Sequence, residues 1–142
     1  MPESVARQKV LFDHIGLNVP DLEEAMDWYC RVFDLTAANI FEVHGTDLRG
    51  VMLLHESGYR IELVQRPNSV PGMQPSSAYD AAGTWGYGHF CIAVDDVQQE
   101  YDRLIEGGCT MRMVPSPSPR PGAMVSFVAD PWGNLVEVIS NR

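Results

Sequence analysis

The chain carries one pattern twice, and the two copies stand 75 positions apart. FDHIGLNVPDLEEAMDWY and YGHFCIAVDDVQQEYDRL each place a histidine early in a short apolar run, then an acidic residue, then a helix-like pattern. His14 and His89 share that offset, as do Glu62 and Glu137 in GYRIELVQ and GNLVEVIS, and Gly58 and Gly133 just before them. Independent coincidences at one offset are improbable in unrelated segments. The chain is therefore read as a duplicated module, about 10–66 and about 85–140, joined by a linker of about 67–84.

Each copy predicts the same elements. Ile15, Leu17 and Val19 alternate with Phe12, His14, Gly16 and Asn18, as a strand with one apolar face should. In the second copy Phe90, Ile92 and Val94 take the apolar face, while His89, Cys91 and Ala93 take the other. A helix follows, opening at Asp21 with Glu24 three residues on and at Asp96 with Gln99, a capping-box spacing. Its apolar stripe is Leu22, Ala25, Met26, Tyr29, Val32 and Phe33, or Val97, Tyr101, Leu104 and Ile105, and Gly107 and Gly108 stop the second helix.

Three further strands are expected near Asn39–His44, Val51–Glu56 and Tyr59–Gln65, and near Cys109–Val114, Met124–Val128 and Asn134–Ser140. The stretch RPNSVPGMQPSSAYDAAGTWG is rich in Pro, Gly and Ser and reads as connecting chain. The prolines of Pro115 to Gly122 exclude a central strand there. The expected fold class is α+β: two tandem βαβββ modules, a cupped mixed-sheet cleft and helices outside.

At 142 residues the length suits a single domain. The net charge of −9, with no Lys/Arg cluster, argues against nucleic acid or an anionic membrane as partner. No apolar run reaches a membrane span, and MPESVARQKV lacks a secretory signal's apolar stretch, so a cytoplasmic location is the default expectation. Cys30, Cys91 and Cys109 show neither zinc-ribbon nor CxxC spacing and read as reduced thiols.

A carboxylate inside an apolar strand needs a partner, because an unpaired buried charge costs several kcal/mol. The structural explanation for Glu62 or Glu137 is a salt bridge to Arg60, Arg49 or Arg112. The functional explanation rests on all four residues together. Each module contributes one His and one Glu, from its first and last strands, and a two-fold pairing of modules would bring His14, Glu62, His89 and Glu137 to one point. Two neutral imidazoles and two carboxylates suit a divalent cation; nickel, cobalt, zinc, manganese, magnesium and iron all accept such donors.

DHIGLNV, GHFCIAV and the closing FVADPWGNLVEVIS resemble the vicinal-oxygen-chelate superfamily, from about Leu11 to Ile139. That superfamily includes glyoxalase I, methylmalonyl-CoA epimerase, extradiol dioxygenases, fosfomycin-modifying enzymes and bleomycin-binding proteins. The His, Glu, His, Glu set looks most like bacterial glyoxalase I. The resemblance implies a lyase or isomerase acting on a small carbonyl substrate by proton transfer through a metal-stabilised enediolate or enolate. It further implies Glu137 and Glu62 as ligand and base, Glu137 first, and a homodimer. Glyoxalase I carries an arginine four residues after its first ligand, where Asn18 stands here, which brings no charge and leaves the use of glutathione open. Asn18 and Cys91 are candidate substrate-binding residues, and Trp85, Tyr87 and Met124 candidate pocket wall. The competing readings are an Fe(II) extradiol-type dioxygenase using His14, His89 and Glu137, and a non-catalytic drug- or metabolite-binding protein.

Overall fold

A computed structural model describes residues 6–140. The sequence stretch tested for a secretory signal begins in residues 1–5, outside the described residues. The described residues form two compact units that divide between Ser69 and Val70.

In the first unit the elements are β1 (Ile15–Asn18), α1 (Leu22–Phe33), β2 (Thr36–Ala37), β3 (Phe41–Glu42), β4 (Arg49–Leu54) and β5 (Arg60–Gln65). The sheet runs β1-β5-β4-β2, with β3 also on β4; β1 is parallel to β5 and the other pairs are antiparallel. In the second unit a short helix α2 (Ala78–Ala81) precedes β6 (His89–Ala93), α3 (Val97–Glu106), β7 (Thr110–Pro117), β8 (Met124–Ala129) and β9 (Leu135–Ile139). Its order, β6-β9-β8-β7 with β6 parallel to β9, repeats the first. The 75-residue offset carries β4 onto β8 at both ends and the start of β5 onto the start of β9.

Local chemistry explains the helices. The Asp21 carboxylate accepts from the Glu24 amide at 2.9 Å, and Asp96 does the same for Gln99 at 3.0 Å, so both caps form as the spacing predicts. Leu22, Ala25, Tyr29, Val32 and Phe33 are buried against β4 and β5, where Val51, Leu53, Ile61 and Leu63 are all but inaccessible. Trp28 joins that buried stripe, whereas Met26 is only half-buried. Helix α1 ends at Asp34 in the left-handed region (φ 53°), a conformation aspartate tolerates; helix α3 ends at Gly107, followed by Gly108 at φ 110°.

Three expectations need correction. The strand expected at Asn39–His44 is broken into β2 and β3, both laid along β4, so it starts earlier and is interrupted. In the second unit the corresponding β7 continues to Pro117, through Pro115, with register shifts between Met111 and Met113 and between Met113 and Ser116. An edge strand with bulges tolerates prolines because their missing donors face no neighbour. The third concerns the connecting stretch. Its residues 70–82 are built into the second unit: Gln74 donates to the Trp132 carbonyl at 3.0 Å, Arg112 donates to the Pro75 carbonyl at 3.1 Å, and Ala81 packs with Ala129 and Leu135.

Among the described residues, no helix is long and apolar enough to cross a membrane. One core position is out of keeping with its surroundings. Ser126, fully buried on β8, pairs with Val138 and has no hydrogen-bond partner for its hydroxyl; the equivalent position in the first unit is Val51. Removing an unsatisfied buried hydroxyl relieves its desolvation penalty. Ser126→Ala is expected to raise stability by about 1 kcal/mol. A lower urea midpoint in the variant would contradict that account.

Candidate metal centre

Alternation along β5 sends Ile61 and Leu63 under α1 and turns Glu62 to the other face of the sheet. On β9, Val136 and Val138 are buried while Glu137 faces the opposite way. The parallel register sets Gly16 opposite Glu62 and Cys91 opposite Glu137, so each histidine, two residues earlier, is the diagonal neighbour of its glutamate. His14 Nε2 lies 3.8 Å from Glu62 Oε1, and His89 Nε2 lies 2.9 Å from Glu137 Oε2. The structure thus brings together one His–Glu pair in each unit. All four side chains remain partly accessible, between 19% and 35%.

The salt-bridge explanation of the carboxylates does not fit. Arg60 pairs with Asp13 at 3.4 Å, Arg49 with Glu23, and Arg112 is spent on backbone carbonyls. Both glutamates face imidazoles instead. Within either unit, among the described residues, no third His, Cys, Asp or Glu joins the pair in an arrangement able to hold a metal ion.

The separations suit shared donors. Two adjacent ligands at about 2.1 Å from an octahedral ion stand about 3 Å apart. The pair in the second unit already has that spacing, and the pair in the first is somewhat wider. Imidazole nitrogens and carboxylate oxygens, acting together, are the donor chemistry of divalent first-row metals.

Turn chemistry places the glutamate strands. Asp130 is buried; its carboxylate accepts from the Trp132 and Asn134 amides at 3.0 and 2.8 Å, and Gly133 takes φ 89°. A Cβ at Gly133 would strike the Gln74 side chain. In the first unit His55 holds the equivalent position: its Nδ1 accepts from the Ser57 amide at 3.1 Å, and Gly58 takes φ 104°. His55 had no assigned role in the sequence reading, and the repeat offset is the signal that would have found it.

Other neighbours were also missed. Phe127 pairs with Glu137 in register and meets the His89 ring edge-on at 5.1 Å; Met52 is its counterpart beside Glu62. Asp13 Oδ2 lies 2.7 Å from His14 Nδ1, and this hydrogen bond, with the Arg60 charge behind it, holds the Asp13 carboxyl below the usual range. Asn18 is exposed on the same strand face as His14. Cys91 is exposed on the face of His89; burial of its sulfur, then the Glu137 charge, pushes the thiol up to about 12. Trp85 and Tyr87 are fully exposed, and Met124 is partly so.

The buried Cys109 gives a pH dependence. Burial, then the Asp130 charge, raises its thiol from 9.0 to about 12. Between those values the unfolded chain releases a proton that the folded chain keeps. Stability therefore falls as pH rises from 9.0 towards about 12. Urea midpoints of the wild type and Cys109→Ala across that window are expected to converge; parallel curves would speak against it.

The sequence profile of the Glyoxalase/Bleomycin resistance protein/Dioxygenase superfamily matches residues 11–138. The chain belongs to this superfamily. It is 27% identical over 131 residues to "Lactoylglutathione lyase GLX1" of Arabidopsis thaliana, covering 90% of this chain but only 43% of that protein. It is 25% identical over 126 residues to a "Probable lactoylglutathione lyase" of Synechocystis sp., covering 89% and 92% of the two chains. Among solved superfamily structures, a glyoxalase family protein from Bacillus cereus superposes with a TM-score of 0.76 at 17% identity, over 96% of this chain and 98% of that one. That likeness establishes the superfamily fold.

Proposed function

We propose that the chain is a metal-dependent lyase or isomerase of the glyoxalase-like kind, acting on a small carbonyl substrate. The observation that carries this reading is the His–Glu pair on each sheet, its glutamate turned to the face opposite the long helix, with all three candidate arginines engaged elsewhere. The lyase-named relatives support the reaction class. On this reading the two modules make one domain, and His14, Glu62, His89 and Glu137 hold one divalent ion. Bound there, the ion supplies Lewis acidity toward the substrate's carbonyl oxygen.

Glu137 removes the proton from the carbon beside that carbonyl and then returns it to the substrate, so that the carboxylate is regenerated. Glu62 is the second carboxylate in reach of the same chemistry. Asn18 offers an uncharged hydrogen bond to the substrate, and Cys91 and Phe127 line the face beside Glu137. With Asn18 in place of an arginine, the substrate class is a smaller or less charged carbonyl compound than a glutathione adduct. A homodimer, in a cytoplasmic setting, belongs to the same reading; exposed Val10, Phe12, Trp85 and Tyr87 offer apolar surface for a second copy.

Elemental mass spectrometry of gently purified protein, with Glu62→Gln and Glu137→Gln beside it, tests the centre. Near one divalent ion per chain, reduced in both variants, is the expected result. Loss in Glu137→Gln alone would favour a three-ligand oxygenase site. No ion retained or taken up on reconstitution would leave a binding module.

A further inference from the structure

The two histidines are held in opposite ways. An ionised carboxylate only accepts hydrogen bonds, so a neutral His14 facing Asp13 at 2.7 Å carries its proton on Nδ1. Its Nε2 lone pair is left free on the side of Glu62. Arg60 steadies the other oxygen of Asp13 at 3.4 Å. In the second module, 75 positions on, Gly88 and Leu135 replace Asp13 and Arg60. There the 2.9 Å contact runs from Nε2 to Glu137, so a neutral His89 carries its proton on Nε2, the nitrogen that faces the carboxylate.

Resting on the metal-centre reading above, we propose that Asp13, steadied by Arg60, is a positioning residue that presets His14 as an Nε2 metal donor, making the first module the preformed half of the centre. In the second module the Nε2 of His89 is instead engaged with the Glu137 carboxylate, so its lone pair is not preset in the same way. The physical reason is general. A carboxylate on the far nitrogen of a ligating imidazole fixes the tautomer and ring orientation and raises ligand basicity. The sequence shows that Asp13 and Arg60 have no counterparts in the second module, and the structure shows which nitrogen of each histidine faces a carboxylate.

Two-bond ¹H–¹⁵N spectra of labelled, metal-free protein, with imidazoles neutral, read the tautomers directly. His14 is expected as Nδ1–H and His89 as Nε2–H. Asp13→Ala should mix the His14 tautomers and weaken binding of Ni²⁺ and of Zn²⁺, titrated calorimetrically, by about 10–100-fold. Asp13 has 63% of its side chain exposed, and circular dichroism checks that the fold survives. Gly88→Asp, at a position where a Cβ meets no atom within 4 Å, should move His89 to Nδ1–H and tighten binding. Nε2–H at His14 in the wild type would overturn the proposal. So would unchanged metal affinity in Asp13→Ala, or an unmoved His89 tautomer in Gly88→Asp. Failure of the wild type to bind either ion would bring down the metal-centre reading itself, and that outcome is separate from a wild type that binds as tightly as Asp13→Ala.

Discussion

Glu137→Gln is expected to slow turnover of any carbonyl substrate by about 10²–10⁴-fold, the range associated with losing a positioned general base. The amide keeps the shape and hydrogen-bonding reach of the carboxylate but neither its charge nor its basicity. Proton exchange between the substrate's carbon and deuterated solvent is the measurement, because it reports the proton-transfer step whatever the product. Glu62→Gln separates the two carboxylates. If Glu137 is the base, the Glu62 variant, reconstituted with excess metal, recovers exchange to a greater extent. Equal, near-complete recovery in both would show that each glutamate serves only as ligand, and would move the base to another group.

Tyr29→Ala carries the largest expected stability effect. The side chain is fully buried under α1, stacked on Phe33 at 5.3 Å and edge-on to Trp28 at 4.8 Å. Truncation removes the aromatic contacts and leaves a cavity against β4 and β5, at a cost of about 3–5 kcal/mol. Urea unfolding followed by circular dichroism checks this, and a loss under about 1 kcal/mol would mean the surrounding stripe collapses into the gap. The same change should loosen the seat of Glu62, since Ile61 and Leu63 on either side of it pack into this core.

Much of the architecture was legible because short-range physics decided it. Strand alternation placed Ile61 and Leu63 opposite Glu62, and the Asp21 and Asp96 caps began both helices where their side chains reach the third amide on. The broken edge of β2 and β3, the proline-bearing β7 and the folding of residues 70–82 into the second unit were not legible. Edge strands obey weaker local rules, since one side of the ladder is unpaired. A Pro- and Gly-rich stretch reveals nothing of the side chains, here Gln74 and Ala81, that dock it.

By itself the sequence determined the duplication, the superfamily and the identity of the four candidate donors, because a repeat offset and a strand period are properties of the chain alone. Tertiary structure decided which groups face those donors. Arg60 turned out to hold Asp13 rather than a glutamate, Asp13 to hold His14, and Phe127 to lie against His89. The Arg60–Asp13 and Phe127–His89 pairings depend on register between segments far apart in sequence. A one-residue slip would send every one of these side chains to the opposite face.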